Sequence, residues 1–252
     1  MTIVLLLGSG PNVLEARLWP RTPFDRIVAI NNAHAVRPDW DHLVYPWDFP
    51  ADRRPKPGPG QSLIDESAFV PTQNRHGGFV YAGGTMAFTA AYWALEALQP
   101  NVIATFGCDM HYPAKGATHF YGKGTPDPLR RDITLRSLEA KSARLMVLAA
   151  ARGCAMVNLS QGPSRLVFPR LTREGLRHCR PARFDATVAR RALEQEARLG
   201  YFVPSGRYWE VADSFDPARI DALDALWLQA AQPPAPGRMP VHRGLEPAAP
   251  RP

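Results

Sequence analysis

Between positions 109 and 121 the chain carries Asp109, His111, Tyr112, His119 and Tyr121. A histidine with an ordinary pKa of ~6.5 can take a proton from a hydroxyl near neutral pH. Tyrosine hydroxyls can donate to the negative charge that develops on a departing phosphate. In a loop at the mouth of a sheet such side chains most often serve hydrogen bonding in a polar cleft. Asp109, His111 and His119 could in principle ligate a metal, but their spacing matches no standard zinc motif, and no metal site is assigned.

Two glycine-bearing turns could hold that phosphate. Gly8-Ser9-Gly10-Pro11-Asn12 follows an apolar run, where backbone can approach a ligand closely and amide N–H groups can meet phosphate oxygens, or the glycines can simply make a tight turn. Gly83-Gly84-Thr85 opens an alanine-rich helical stretch whose first turn leaves N–H groups unpaired, with Thr85 also readable as a plain cap. Neither is a nicotinamide-dinucleotide fingerprint, because the third glycine and an acidic residue after the second strand are missing. No Walker lysine motif and no Gly-x-Ser-x-Gly elbow occurs. Cys108 has no base beside it in the sequence, and it reads as a small buried residue. Asp39-Trp40-Asp41 has the form of a metal-holding acidic pair, yet it precedes a strand and so falls at the wrong edge of a sheet.

These groups need a frame that brings them together. Short apolar runs at 2–7, 26–31, 42–45, 102–106 and 155–159 alternate with helical stretches at 84–98 and 134–151. That alternation predicts an α/β fold, a Rossmann-like and mostly parallel sheet with helices on both faces. Ligands of such sheets bind outside the carboxyl ends of the strands. The filter selects Gly8, Ser9 and Gly10, then Asn31 and Asn32, Asp48, Asp109 and the run Ser160-Gln161-Gly162-Pro163-Ser164. The Pro- and Gly-rich stretch between 49 and 78 reads as a surface loop or lid, and 110–132 as a second loop covering a ligand.

Three units follow from texture: a nucleotide-binding domain over 1–169, a helical C-terminal extension over 170–231, and a disordered Pro/Ala/Arg-rich tail over 232–252. In the extension, helices are predicted over 185–199 and 217–230, the second with a stripe of Ile220, Leu223, Leu226 and Trp227 that docks on the main domain. The 252 residues carry 45% hydrophobic and 21% charged side chains, which excludes wholesale disorder and a small disulfide scaffold. Three scattered cysteines and no apolar run of ~20 residues suggest a cytoplasmic protein without an integral membrane segment. The net charge of +7 favours an anionic small ligand, whereas no aromatic-interleaved basic stripe points to nucleic acid.

Taken together, Gly8-Ser9-Gly10-Pro11, Asn31-Asn32, the Gly83-Gly84 helix start, the run from Val102 to Asp109 and the His119-Phe120-Tyr121 loop resemble the bacterial sialyltransferases of glycosyltransferase family 42. So does Asn158-Leu159-Ser160 with Pro163-Ser164-Arg165-Leu166. A more distant similarity is to the pterin diphosphokinase-like Rossmann family. The resemblance implies a metal-independent enzyme that transfers a sugar from a nucleotide donor, a CMP-sugar, to the hydroxyl of a glycan or small-molecule acceptor, with no other cofactor. It implies that Ser9 and Gly10 lie against the donor phosphate, that Asn31 contacts the nucleotide, that Gly83, Gly84 and Thr85 line the nucleotide cleft, and that Tyr112 or Tyr121 donates a hydroxyl to the departing phosphate. The histidine expected just before the long helix is replaced by Asp127-Pro128-Leu129-Arg130-Arg131-Asp132, so the base role passes to His119, with Asp127 and Asp132 as alternatives. A Mg-dependent diphosphokinase and a non-catalytic nucleotide- or sugar-binding module are the competing expectations.

Overall fold

The computed structural model describes residues 1–112, 116–122, 130–233, 245 and 247. Its centre is a six-stranded sheet in the order β4-β3-β2-β1-β5-β6, and every neighbouring pair is parallel. The strands are β1 (Ile3–Leu7), β2 (Arg26–Ile30), β3 (His42–Val44), β4 (Ser62–Ile64), β5 (Val102–Phe106) and β6 (Ala155–Asn158). From β1 the chain adds β2, β3 and β4 on one side, then crosses back to lay β5 and β6 on the other. The reversal leaves a crevice beyond the carboxyl ends of β1 and β5, the place where open α/β sheets hold ligands.

Alternation along the strands explains the layers. Val4 and Leu6 of β1 join Val28, Ile30, Val44, Ile103 and Met156 on one face. Ile3, Leu5 and Leu7 join Ile27, Ala29, Leu43, Ala104 and Val157 on the other. The first face is covered by α-helices: α1 (Glu66–Arg75), α2 (Phe79–Ala82), α3 (Met86–Leu98) and α4 (Leu138–Ala151). The second carries only short 3-10 turns, Pro11–Leu18, Asn31–Ala35 and Arg173–Arg177, with Trp19 stacked near Phe24 and Phe106.

The stretch expected to be a surface loop holds β4 and α1 instead. β4 has three residues, all half-buried at the sheet edge, so it lacks the buried apolar run that marks the other strands. α1 carries Pro71 inside it, a residue that normally breaks a helical pattern, and is started by Asp65, whose carboxylate accepts from the Ser67 N–H. Most of the segment expected to be a disordered tail lies outside the described residues, although Leu245 is described and buried.

The C-terminal helices α5 (Ala186–Leu199) and α6 (Pro217–Ala230) belong to the same hydrophobic cluster as the first face. They also carry the counter-charges for α4. Arg144 is fully buried, and its guanidinium donates to both Glu196 oxygens at 2.7 and 2.8 Å, to the Tyr92 hydroxyl and to the His76 carbonyl. Glu196 accepts as well from the Trp227 indole N–H at 2.8 Å. One turn away, Lys141 is 2.8 Å from Asp224, both buried.

Removing one partner of such a buried pair strands the other charge in a poor solvent. Glu196→Ala should therefore cost about 3–5 kcal/mol in urea unfolding. His76 supplies a second test. It is fully buried between Tyr92 and several arginines, and burial first, then Arg152 and Arg144, hold its pKa at about 3. Below the ordinary value of 6.5 the unfolded chain takes up a proton that the folded one refuses, so stability falls as pH drops from 6.5 toward 3. The loss should approach ~1.4 kcal/mol per pH unit in urea titrations, and the slope should be shallower in His76→Leu.

Candidate functional site

The crevice at the strand reversal opens into a cleft of about 510 Å³. Its rim is built by glycines that let two loops touch backbone to backbone. The N–H groups of Gly8 and Gly10 donate to the carbonyls of Phe106 and Gly107, each at 2.8 Å. A Cβ on Gly8 would fall 2.3 Å from the Gly107 oxygen, and one on Gly107, where φ is +69°, would fall 2.8 Å from Val13. These glycines thus serve close approach of β1 and β5, and the Gly8 and Gly10 amides are already used. Ser9 lines the cleft between them, while its carbonyl accepts from the Phe120 N–H at 2.9 Å.

Beside this rim lies the start of α3. Thr85 caps it, its hydroxyl accepting from the Phe88 N–H, and Thr85, Met86 and Ala87 all line the cleft. The first-turn N–H groups of Met86 and Ala87 have no acceptor within the helix and carry its positive dipole end. Asn31 also lines the cleft, in the left-handed conformation at φ +50°, with a buried side-chain oxygen that has no hydrogen-bond partner among the described residues. Asp109, His111, Tyr112, His119 and Tyr121 complete the wall. The His119 and Tyr121 rings stack at 5.0 Å, Tyr112 is 6.0 Å from His119, and Thr118 Oγ1 is 3.0 Å from His119 Nδ1.

Of the residues expected from sequence, the cleft gathers Gly8, Ser9, Gly10, Asn31, Thr85, Asp109, Tyr112, His119 and Tyr121. Four are corrected. Gly83 and Gly84 do not line it. Gly83, at φ +92°, makes room for Phe88 and Lys141, and Gly84 for Thr134 and Tyr208. Asn32 sits one position past Asn31 in the 3-10 turn and is not among the lining residues. Asp48 is exposed beyond β3, a strand separated from β1 by β2, and so lies away from the crevice.

Other candidates resolve into structure. Asp39 and Asp41 pair with Arg37 and Arg21. Asp132 accepts from Thr134, Tyr208 and Arg130, which hold its carboxyl below the usual range against burial, and Asp127 lies outside the described residues. Burial and the neighbouring Asp109 push the Cys108 thiol up, which leaves it a poor nucleophile. Among the described residues no group of three or more His, Cys, Asp or Glu side chains is placed to hold a metal ion.

The sequence places Asn12 and Ser160 at strand tips, but not the way in which they and Asn158 brace Asp109. Asn158 Nδ2 donates to Asp109 Oδ1 at 2.9 Å, and Asn12 Nδ2 to Oδ2 at 3.3 Å and to Ser160 Oγ at 2.9 Å. The Ser160 N–H closes the ring on Asn158 Oδ1 at 2.9 Å. Arg170 donates to the carbonyls of Ser160 and Gly162. Position at the carboxyl end of β6 was the available signal for Asn158, the last residue of the strand, and for Ser160 beyond it.

Gly8→Ala tests the close approach, since the added methyl must displace the β5 loop. It should cost about 1–3 kcal/mol of stability by thermal or urea unfolding, the usual scale for overpacking. No protein-family model, no curated protein and no solved structure matches the chain.

Proposed function

We propose that the protein is a glycosyltransferase-like enzyme that takes a nucleotide-activated sugar, a CMP-sugar in preference, and passes the sugar to an acceptor hydroxyl. The observation that carries this reading is the meeting, in one cleft, of an open helix N-terminus with a histidine–tyrosine cluster. The first turn of α3 offers unpaired N–H groups and a positive dipole end to the donor phosphate. Asn31 suits a contact with the nucleotide, and Ser9 adds a hydroxyl close to the phosphate.

In this reading His119 withdraws the acceptor proton while the hydroxyl attacks the anomeric carbon in line with the departing phosphate, so configuration inverts. Tyr112 and Tyr121 donate to the phosphate as charge builds on it, a contribution available only in the transition state. Arg130 is occupied with Asp132, the Gly84 carbonyl and the Tyr208 hydroxyl. The phosphate charge is therefore assigned to the helix end and the tyrosines.

A ligand that binds only the folded state raises its melting temperature. Melting with CMP, CDP, UDP, GDP, ATP and GTP, each with Mg²⁺ or EDTA, should show stabilisation by CMP that survives EDTA. A shift with ATP that requires Mg²⁺, and none with CMP, would replace the proposal by a diphosphokinase. Once a donor and acceptor are found, His119→Ala should lower kcat by about 10²–10⁴-fold, and unchanged turnover would remove His119 as the base.

A further inference from the structure

We propose that Asp109 is the acceptor for a pair of neighbouring hydroxyls, so that the nucleotide taken by the cleft is a ribonucleotide, held by its ribose diol. This rests on the reading of the cleft as a nucleotide site and adds the part of the ligand it selects. An ionised carboxylate only accepts hydrogen bonds and has about four lone-pair positions. One on each oxygen is taken, by the amides of Asn158 and Asn12, and both amides are fixed in turn by Ser160. Asn158 is further held against Ser164 at 3.1 Å. The carboxylate is thereby locked in orientation while each oxygen keeps acceptor capacity.

It also remains reachable. The Asp109 side chain is 13% exposed and lines the cleft. Arg170 lies 3.9 Å from Oδ1, and each of its two Nη groups donates to a backbone carbonyl, of Ser160 and of Gly162. A phosphate placed here would meet like charge, which directs it to the α3 start. Two hydroxyls on adjacent carbons are the neutral group that presents two donors to two oxygens at once. In dinucleotide-binding sheets an acidic residue about 20 residues beyond the first glycine turn performs this service. Here β2 ends in Asn31 and Asn32, and the acid stands after β5 instead.

The test is binding of matched nucleotides to the intact protein in EDTA, by calorimetry or thermal shift: CMP, UMP, AMP and GMP against their 2′-deoxy forms, and CMP against its arabinose epimer. The ribonucleotide should bind about 10- to 100-fold more tightly than its 2′-deoxy partner, the loss expected for a hydrogen bond to a charged group. The epimer, whose 2′-hydroxyl points to the other face of the ring, should bind like the deoxy form. A folded Asp109→Asn variant should lose the preference. Equal binding of ribo and 2′-deoxy forms would overturn the proposal while leaving the nucleotide reading intact, as would a preference that persists in folded Asp109→Asn. Should that variant not fold, the epimer decides, because binding equal to CMP would overturn the diol contact. Failure of every nucleotide to bind would overturn the nucleotide reading and this inference with it.

Discussion

Everything at the candidate site depends on how closely two turns can approach. β1 and β5 are neighbours in the sheet, yet almost a hundred residues separate them in the chain, and their turns must rise side by side to leave a crevice between diverging crossovers. Gly8, Gly10 and Gly107 permit this because backbone meets backbone with no Cβ between. With that contact made, Asp109 is carried to the position where amides from the β1 turn and from β6 can reach it. The site is thus a property of strand order first and of side chains second.

The two faces of the sheet divide the work. Under one face, 3-10 turns and aromatic rings close a small core with little helical mass. Over the other, α-helices pack in two layers, and the outer pair brings carboxylates to two cations buried on α4. Burying a charge is unfavourable unless it is both paired and hydrogen-bonded, and Arg144 reaches four acceptor atoms.

Much of the fold was legible because a parallel sheet buries both faces of its strands, which turns β1, β2, β5 and β6 into uninterrupted apolar runs bounded by turn residues. β4 escaped because an edge strand of three half-buried residues has no such run. Around the cleft, residues directly after strands can be located from topology alone, and Ser9, Asn31 and Asp109 do line it. Gly83 and Gly84 were misplaced because a glycine pair at a helix start looks the same in sequence whether it makes room for a ligand or, as here, for Phe88, Lys141, Thr134 and Tyr208. The ring through Asn12, Asp109, Asn158 and Ser160 joins residues 97 and 148 positions apart, a relation that no local pattern carries.

The pairing of α4 with the last two helices also has a bearing on the order in which the chain emerges during synthesis. When the sixth strand has left the ribosome the whole sheet and the whole cleft wall exist as sequence, yet Lys141 and Arg144 still face an apolar surface without counter-ions. Their burial as paired charges waits for Glu196, 52 residues beyond Arg144, and for Asp224, 83 residues beyond Lys141. The α4 face thus reaches its buried, paired state only once both outer helices have been made, which ties completion of this half of the core to the arrival of α5 and α6.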